Sequence, residues 1–168
     1  EEAEGAIFAL SSEEKGEVYG ANIIRPGRRR LSDAFTLERV KKAAAAAREN
    51  AYAPYSGFKV GAAVLSASSG RIYAGCNVEN SSYGATICAE RNAITTAITA
   101  EGVIGIDILA VCSDDDPPAP PCAVCLQVIA EYARPDTHIV LFSVNGQERH
   151  YAFSELLPNP FVFPTMRR

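Results

Sequence analysis

The sequence predicts a three-layer α/β/α sandwich built on a mixed five-stranded sheet. Three observations carry that expectation. Helix-like and strand-like segments alternate in the order α-β-β-α-β-α-β-β, which joins an antiparallel hairpin to crossover units. The run 105–112 is apolar except at Asp107, as suits a strand covered on both faces. With 168 residues, 48% hydrophobic and 21% charged, the chain fits one compact core; a domain of this size buries roughly 70% of its unfolded surface and needs no disulfide staples.

Taken in order, Asp33 or Thr36 can cap a first helix that runs through Val40 and the alanines at 43–47 to about Asn50. Tyr52-Ala53-Pro54-Tyr55-Ser56-Gly57 breaks the chain. Residues 58–65 and 71–76 are β-like, and the small polar residues 66–70 between them make a hairpin turn. Residues 87–100 have helical periodicity through Ala89, Ala93, Ile94 and Ala97. After the buried strand at 105–112, a proline-rich loop over 114–121 leads into a helix from Cys122 to about Tyr132. Two short strands, 138–142 and 148–153, and a turn at 154–157 carry the chain to a tail rich in Phe and Pro. No internal repeat is evident.

Charge is distributed unevenly. Half of it lies in residues 1–50, including Arg25 and the run Arg28-Arg29-Arg30. Residues 1–32 therefore read as a solvated, flexible N-terminal extension, and 33–168 as a single catalytic domain. The formal net charge of −4 argues against nucleic acid as the main partner. Neither a membrane span nor a signal peptide is expected from the hydropathy pattern. Beyond residue 50 ionised groups are sparse, so those inside apolar surroundings stand out as paired or metal-bound.

Five cysteines stand against two histidines. An odd count argues against a disulfide framework and for a reducing, cytoplasmic setting. Cys122 and Cys125 form a C-x-x-C at the start of a helix, which alone reads either as half a zinc site or as a redox pair. The redox pair is expected after the first strand of its fold, whereas this one follows the third. Cys88 opens another helix. Two helices aiming their N-termini at one point would gather the three thiols, and the partial positive charge there favours thiolates. Three protein ligands with one vertex open is the catalytic zinc arrangement, while a structural site closes with a fourth. His138 and His150 fall on strands and read as ordinary strand residues, Cys76 and Cys112 as buried structural cysteines. Glu90, two positions after Cys88, would by itself be macrodipole compensation; beside an open metal vertex it can instead move protons.

Cys88-Ala89-Glu90 followed by Pro121-Cys122-x-x-Cys125 matches the zinc deaminase signature in its all-cysteine form. Over about residues 36–163 the chain resembles the small, three-cysteine cytidine deaminases. Ala51-Tyr52-Ala53-Pro54-Tyr55-Ser56-Gly57-Phe58-Lys59-Val60-Gly61-Ala62-Ala63 is similar to that family's first-strand motif, and Gly75-Cys76-Asn77-Val78-Glu79-Asn80 to its ribose-binding segment. Ser82-Tyr83-Gly84 through Cys88-Ala89-Glu90-Arg91 resembles the first zinc-helix motif. Leu156-Leu157-Pro158 with Phe161 resembles the C-terminal one.

The resemblance implies one Zn²⁺ per subunit on Cys88, Cys122 and Cys125, with Glu90 as the catalytic proton carrier and Arg91 tempering the thiolate charge. It implies ribose binding by Asn77 and Glu79, packing of Phe58 against the nucleoside, and donation from the Ala89 N–H to the base carbonyl. It places Phe161 over the cytosine of a neighbouring subunit in a homotetramer. The implied reaction is hydrolytic deamination of cytidine and 2′-deoxycytidine, with a modified cytosine nucleoside, a cytosine-containing antibiotic or a non-catalytic zinc scaffold as alternatives. Nucleic acid and membrane are not expected partners. Two positions depart from the family's common Pro-Cys-Gly-x-Cys-Arg-Gln: Ala123 replaces the glycine and Leu126 the arginine.

Overall fold

A computed structural model describes residues 34–163. Its elements are α1 (Ala34–Glu49), β1 (Gly61–Ser66), β2 (Ile72–Cys76), α2 (Ala89–Glu101), β3 (Ile106–Ser113), α3 (Ala123–Ala130), β4 (Ala133–Ser143), β5 (Glu148–Ala152) and α4 (Phe153–Leu156). The strands form one sheet in the order β2-β1-β3-β4-β5. β3 and β4 are parallel and the other neighbouring pairs antiparallel, so the sheet is mixed as expected.

Alternation along the strands sends side chains to two cores. On one face Ala63, Leu65, Ile108, Ala110, Cys112 and Val140 pack under Val40 and Ala44 of α1. On the other, Ala62, Val64, Leu109, Val111, Ile139 and Leu141 meet Ala89, Ala93, Ile94 and Ala97 of α2 and Cys125 and Ile129 of α3. β3, in the centre, is buried along almost its whole length, which explains its apolar sequence from Ile108 to Cys112; the half-buried Asp107 near its start pairs with Arg134 of β4 at 2.9 Å.

The alanine-rich helices lie close to the sheet, and two glycines make that possible. A Cβ on Gly61 would stand 2.1 Å from the Ala44 carbonyl oxygen in α1. On the opposite face, a Cβ on Gly75 would stand 2.4 Å from the Ala93 nitrogen in α2. α2 is held to the hairpin at both ends. Near its start, Asn92 Nδ2 donates to the Cys76 carbonyl at 2.7 Å. At its end, Glu101 accepts hydrogen bonds from Ser66 Oγ (2.9 Å), Tyr73 Oη (2.5 Å) and the Ser69 hydroxyl. Gly102, at φ 78°, then turns the chain out of the helix.

Several boundaries differ from the sequence expectation. Thr36 lies inside α1 and is no cap, and Asp33 lies outside the described residues, as do the arginine run and the N-terminal extension. β1 starts at Gly61, three residues late, because the Asn77 side chain takes up the backbone of Phe58 and Val60. β4 starts five residues early at Ala133, where Thr137 Oγ1 bonds the Ile106 carbonyl across a register shift. The expected turn at 154–157 is a short helix, α4, whose N-terminus is closed by Glu155 accepting the Ala152 N–H at 2.6 Å. Cys112 is buried as expected, whereas Cys76, on edge strand β2, is only half-buried. Among the described residues no helix is long and apolar enough to cross a membrane.

Candidate active site

Two helix N-termini converge beside the α2–α3 core. Cys88 is the N-cap of α2 and Cys122 the N-cap of α3; both have extended backbone, which turns their side chains to the helix mouth. Cys125 follows in the first turn of α3, one helical step above Cys122 and on the same side. The three sulfurs all lie within 4.8 Å of one another, with Cys88 Sγ and Cys122 Sγ 3.9 Å apart. A tetrahedral Zn²⁺ with Zn–S bonds of about 2.3 Å requires sulfur pairs about 3.8 Å apart. Donor type, number and spacing therefore fit zinc, with the fourth vertex left to a small molecule. No other group of three or more His, Cys, Asp or Glu side chains gathers this closely among the described residues. His138 and His150 hydrogen-bond each other at 2.8 Å on strands β4 and β5. His150 pairs across the strands with Val140 of the α1-side core, which puts both rings on the sheet face opposite the cysteines.

The electrostatics favour a thiolate at Cys88. A hydrogen bond from Cys125 and the Arg91 guanidinium bring the Cys88 thiol down to about 5, against the penalty of burial. Cys125, which shares its proton with Cys88 and is buried, is pushed up in turn. Arg91 Nη2 bonds Cys88 Sγ at 3.6 Å and the Thr86 carbonyl at 2.9 Å, which fixes the cation against the sulfur. The Cys88 contact raises its own affinity for protons. Glu90 is the second residue of α2 and only 5% exposed. Burial, reinforced by the negative charge on Cys88, raises its carboxyl pKa, although its own backbone N–H and the Cys125 thiol bond to the charged form. A carboxyl so placed is poised to carry a proton. Ala89, fully buried, is the first residue of α2, so its N–H is one of the four with no partner inside the helix.

Beside the cluster, three short segments are stitched together through Val78. Val78 exchanges two backbone hydrogen bonds with Ile87, at 2.9 and 3.0 Å, and bridges Tyr52 on its other side. Asn77 and Glu79, flanking Val78, are thereby held next to Ile87 and Cys88. Asn77 is 8% exposed; its Oδ1 accepts the Val60 N–H and its Nδ2 donates to the Phe58 carbonyl, both at 2.8 Å. Glu79 is half-buried and accepts from the Tyr55 N–H at 2.8 Å, the Ser56 N–H at 3.2 Å and the Ser56 hydroxyl. The Ser56 hydroxyl contributes most to holding its carboxyl below the usual range. Phe58 is half-buried at the start of this platform.

The C-terminal segment reaches the same region through α3. Gln127 Nε2 donates to the Phe161 carbonyl at 2.9 Å and Gln127 Oε1 accepts the Phe161 N–H at 3.2 Å, while the Phe161 side chain stands 63% exposed.

Residues 35–142 match the family model described as the cytidine and deoxycytidylate deaminase zinc-binding region. The chain belongs to this deaminase family. It is 45% identical over 125 residues to a cytidine deaminase of Halalkalibacterium halodurans, covering 74% of this chain and 93% of that protein. It is 46% identical over 115 residues to one of Sporosarcina psychrophila, covering 68% and 83%. The crystal structure of the Burkholderia pseudomallei cytidine deaminase superposes with a TM-score of 0.70 at 43% identity, covering 74% of this chain and 98% of that one.

For a member of the deaminase family, both departures in the second cysteine motif are structurally mild. Ala123 is the first residue of α3, where backbone dihedrals are helical and a methyl group is accommodated. Leu126 packs against the core under α3, leaving Arg91 as the cation that contacts the cluster. Three features of this deaminase site were not found by sequence reasoning: the Val78 bridges, the double bond from Asn77 to Phe58 and Val60, and the Gln127 clamp on Phe161. Each is a pairing between segments distant in the chain. The only sequence signal for any of them was Gln127, the last residue of the second cysteine motif.

Proposed function

We propose that the chain is a zinc-dependent cytidine deaminase, hydrolysing cytidine and 2′-deoxycytidine to the uridines with release of ammonia, a reaction of pyrimidine salvage. The observation that carries this is a nearly buried glutamate, Glu90, set beside three convergent thiols at two helix N-termini. Cys88, Cys122 and Cys125 would hold one Zn²⁺, which when bound would supply a water of lowered pKa. Glu90 accepts a proton from the attacking water as the water oxygen bonds to C4 of the cytosine ring. It passes that proton to N3, then takes the remaining proton from the C4 hydroxyl and delivers it to the amine, so that the C4–N bond breaks as the C4=O bond forms and ammonia leaves. The Ala89 N–H donates to the base carbonyl at O2.

Asn77 and Glu79 bind the ribose hydroxyls. After its two backbone contacts the Asn77 amide retains one N–H and one lone pair for that purpose. Phe58 packs against the nucleoside. Arg91 tempers the negative charge of the thiolates, supported by its contact with Cys88. Phe161, standing outward, covers the cytosine of a neighbouring subunit in a homotetramer. Five unpaired thiols suit a reducing, cytoplasmic location.

The test is ultraviolet absorbance with zinc-quantified protein and cytidine, deoxycytidine and a single-stranded oligonucleotide. Turnover of both nucleosides and not of the oligonucleotide is expected. Glu90→Gln should lower kcat by a factor of about 10² to 10⁴ with zinc retained. Zinc-replete protein inert toward both nucleosides would refute the activity, and an undiminished Glu90→Gln variant would refute the mechanism.

A further inference from the structure

We infer that Gln127 is a positioning residue for nucleoside binding, acting through the backbone of Phe161. It lies on α3 two residues beyond Cys125, and its side-chain amide meets Phe161 with both of its functions, Nε2 to the carbonyl at 2.9 Å and Oε1 from the N–H at 3.2 Å. This is the pairing that a neighbouring strand would offer, supplied by one side chain. It matters because Phe161 lies in a stretch with neither helix nor strand, directly after Pro160, whose ring has no N–H to offer a ladder. α4 ends at Leu156, so the segment has left its last regular element five residues earlier.

The clamp has a directional consequence. With both backbone polar groups of Phe161 held, the chain there cannot rotate freely, and the ring is presented outward at 63% exposure. The helix that holds it is the one whose first turn carries Cys122 and Cys125. One rigid element therefore fixes two sulfurs of its own subunit's cluster and the direction of an aromatic ring offered to the next subunit. Ordering an exposed aromatic before it binds removes an entropy cost that a free tail would meet on every encounter with substrate. Loss of the clamp should weaken ground-state binding of the nucleoside while leaving the proton transfers on Glu90 untouched. This inference rests on the reading that Phe161 covers a neighbour's cytosine.

The test is a double-mutant cycle on the zinc-loaded full chain with Gln127→Leu and Phe161→Ala, reading KM and kcat for cytidine, zinc content and assembly size. Gln127→Leu should raise KM about tenfold, equivalent to about 1.4 kcal/mol, with kcat, zinc content and assembly unchanged. In the Phe161→Ala background it should add nothing further. Gln127→Glu keeps the acceptor for the Phe161 N–H but sets a carboxylate oxygen against the Phe161 carbonyl, so its KM should rise at least as far as that of Gln127→Leu. It also serves if the leucine variant folds poorly. A wild-type KM for both Gln127 variants would overturn the inference, as would full additivity with Phe161→Ala. A wild-type KM for Phe161→Ala alone would instead overturn the reading of Phe161, and the inference with it.

Discussion

Replacing Gly75 by alanine tests how the sheet positions the metal cluster. The new Cβ would meet the Ala93 nitrogen at 2.4 Å, the Asn92 carbonyl carbon at 2.7 Å and the Asn92 Cβ at 2.8 Å, so two of the three obstacles are helix backbone that no rotamer change can clear. Reaching the 3.4 Å of ordinary contact moves α2 off the sheet by about 1 Å at Ala93. Ala93 is one turn from the helix start, so the displacement falls on Cys88 and Glu90. It also strains the 2.7 Å bond from Asn92 to the Cys76 carbonyl, which lies beside the substituted residue. Overpacking of this kind costs about 1–3 kcal/mol, and the backbone obstacle puts Gly75→Ala at the upper end. A catalytic group misplaced by about 1 Å can lose about 10²-fold in rate. The assay is thermal melting together with zinc stoichiometry and kcat/KM, run beside Gly61→Ala. In that control the Cβ would stand 2.1 Å from the Ala44 oxygen on the opposite face. Both variants should lose stability; at low temperature only Gly75→Ala should lose most of its activity or zinc. Gly75→Ala with unchanged kcat/KM and zinc content would refute the claim that sheet-to-α2 contact sets the cluster.

Removal of zinc by a chelator should lower the melting temperature, because a ligand at about 100 times its Kd contributes about 2.7 kcal/mol to the folded state. Calorimetry with and without metal checks this, and Cys122→Ser should abolish the difference. Burial, and then the charge of His150, lower the pKa of His138 from its ordinary 6.5. The unfolded chain therefore binds more protons than the folded one as pH falls from 6.5 toward the folded value. Stability should drop across that window and level off beneath it. Chemical denaturation at stepped pH should show a shallower decline in His138→Gln; an identical slope would remove His138 as the cause. Glu148, bonded to His150 and Lys41, has its own pKa lowered by the Lys41 contact against the penalty of burial.

The site was more legible in the sequence than the edges of the fold, for a physical reason. Cys88, Cys122, Cys125 and Glu90 owe their positions to helix starts, where the N-cap and the two or three residues after it are fixed by local geometry. The buried strand β3 was equally plain, since burial on both faces leaves an apolar run from Ile108 to Cys112. The start of β4 was hidden because Arg134, Pro135 and Asp136 are not strand-like. They are drawn into the ladder by Ala133 opposite Ile106 and by Thr137, which bonds both the Ile106 carbonyl and the Arg134 N–H. α4 was hidden because no Ser, Thr, Asp or Asn stands at its cap; only the Glu155 side chain closes its start. The role of Asn77 in holding Phe58 and Val60 depends on residues seventeen and nineteen positions away, which no local pattern encodes.

That double duty makes Asn77 and Glu79 unequal as probes of sugar recognition. Asn77→Ala would strand the Val60 N–H and the Phe58 carbonyl in a part-buried setting, at about 1–3 kcal/mol of stability. Any loss of activity would then mix a displaced Phe58 with a lost sugar contact. Glu79 holds only the Tyr55–Ser56 turn, which is exposed and can turn to water instead. Glu79→Gln should therefore leave the melting temperature nearly unchanged while raising KM for cytidine about 10- to 100-fold, the value of a hydrogen bond to a charged group of about 1.5–3 kcal/mol. The rise should vanish with 3′-deoxycytidine, which lacks the hydroxyl that the carboxylate is to accept. A KM penalty of the same size for both substrates would mean that Glu79 acts on the Tyr55–Ser56 turn and not on the ribose. Equal loss of stability in the two variants would show that the turn, like the Phe58 segment, depends on its side-chain tether.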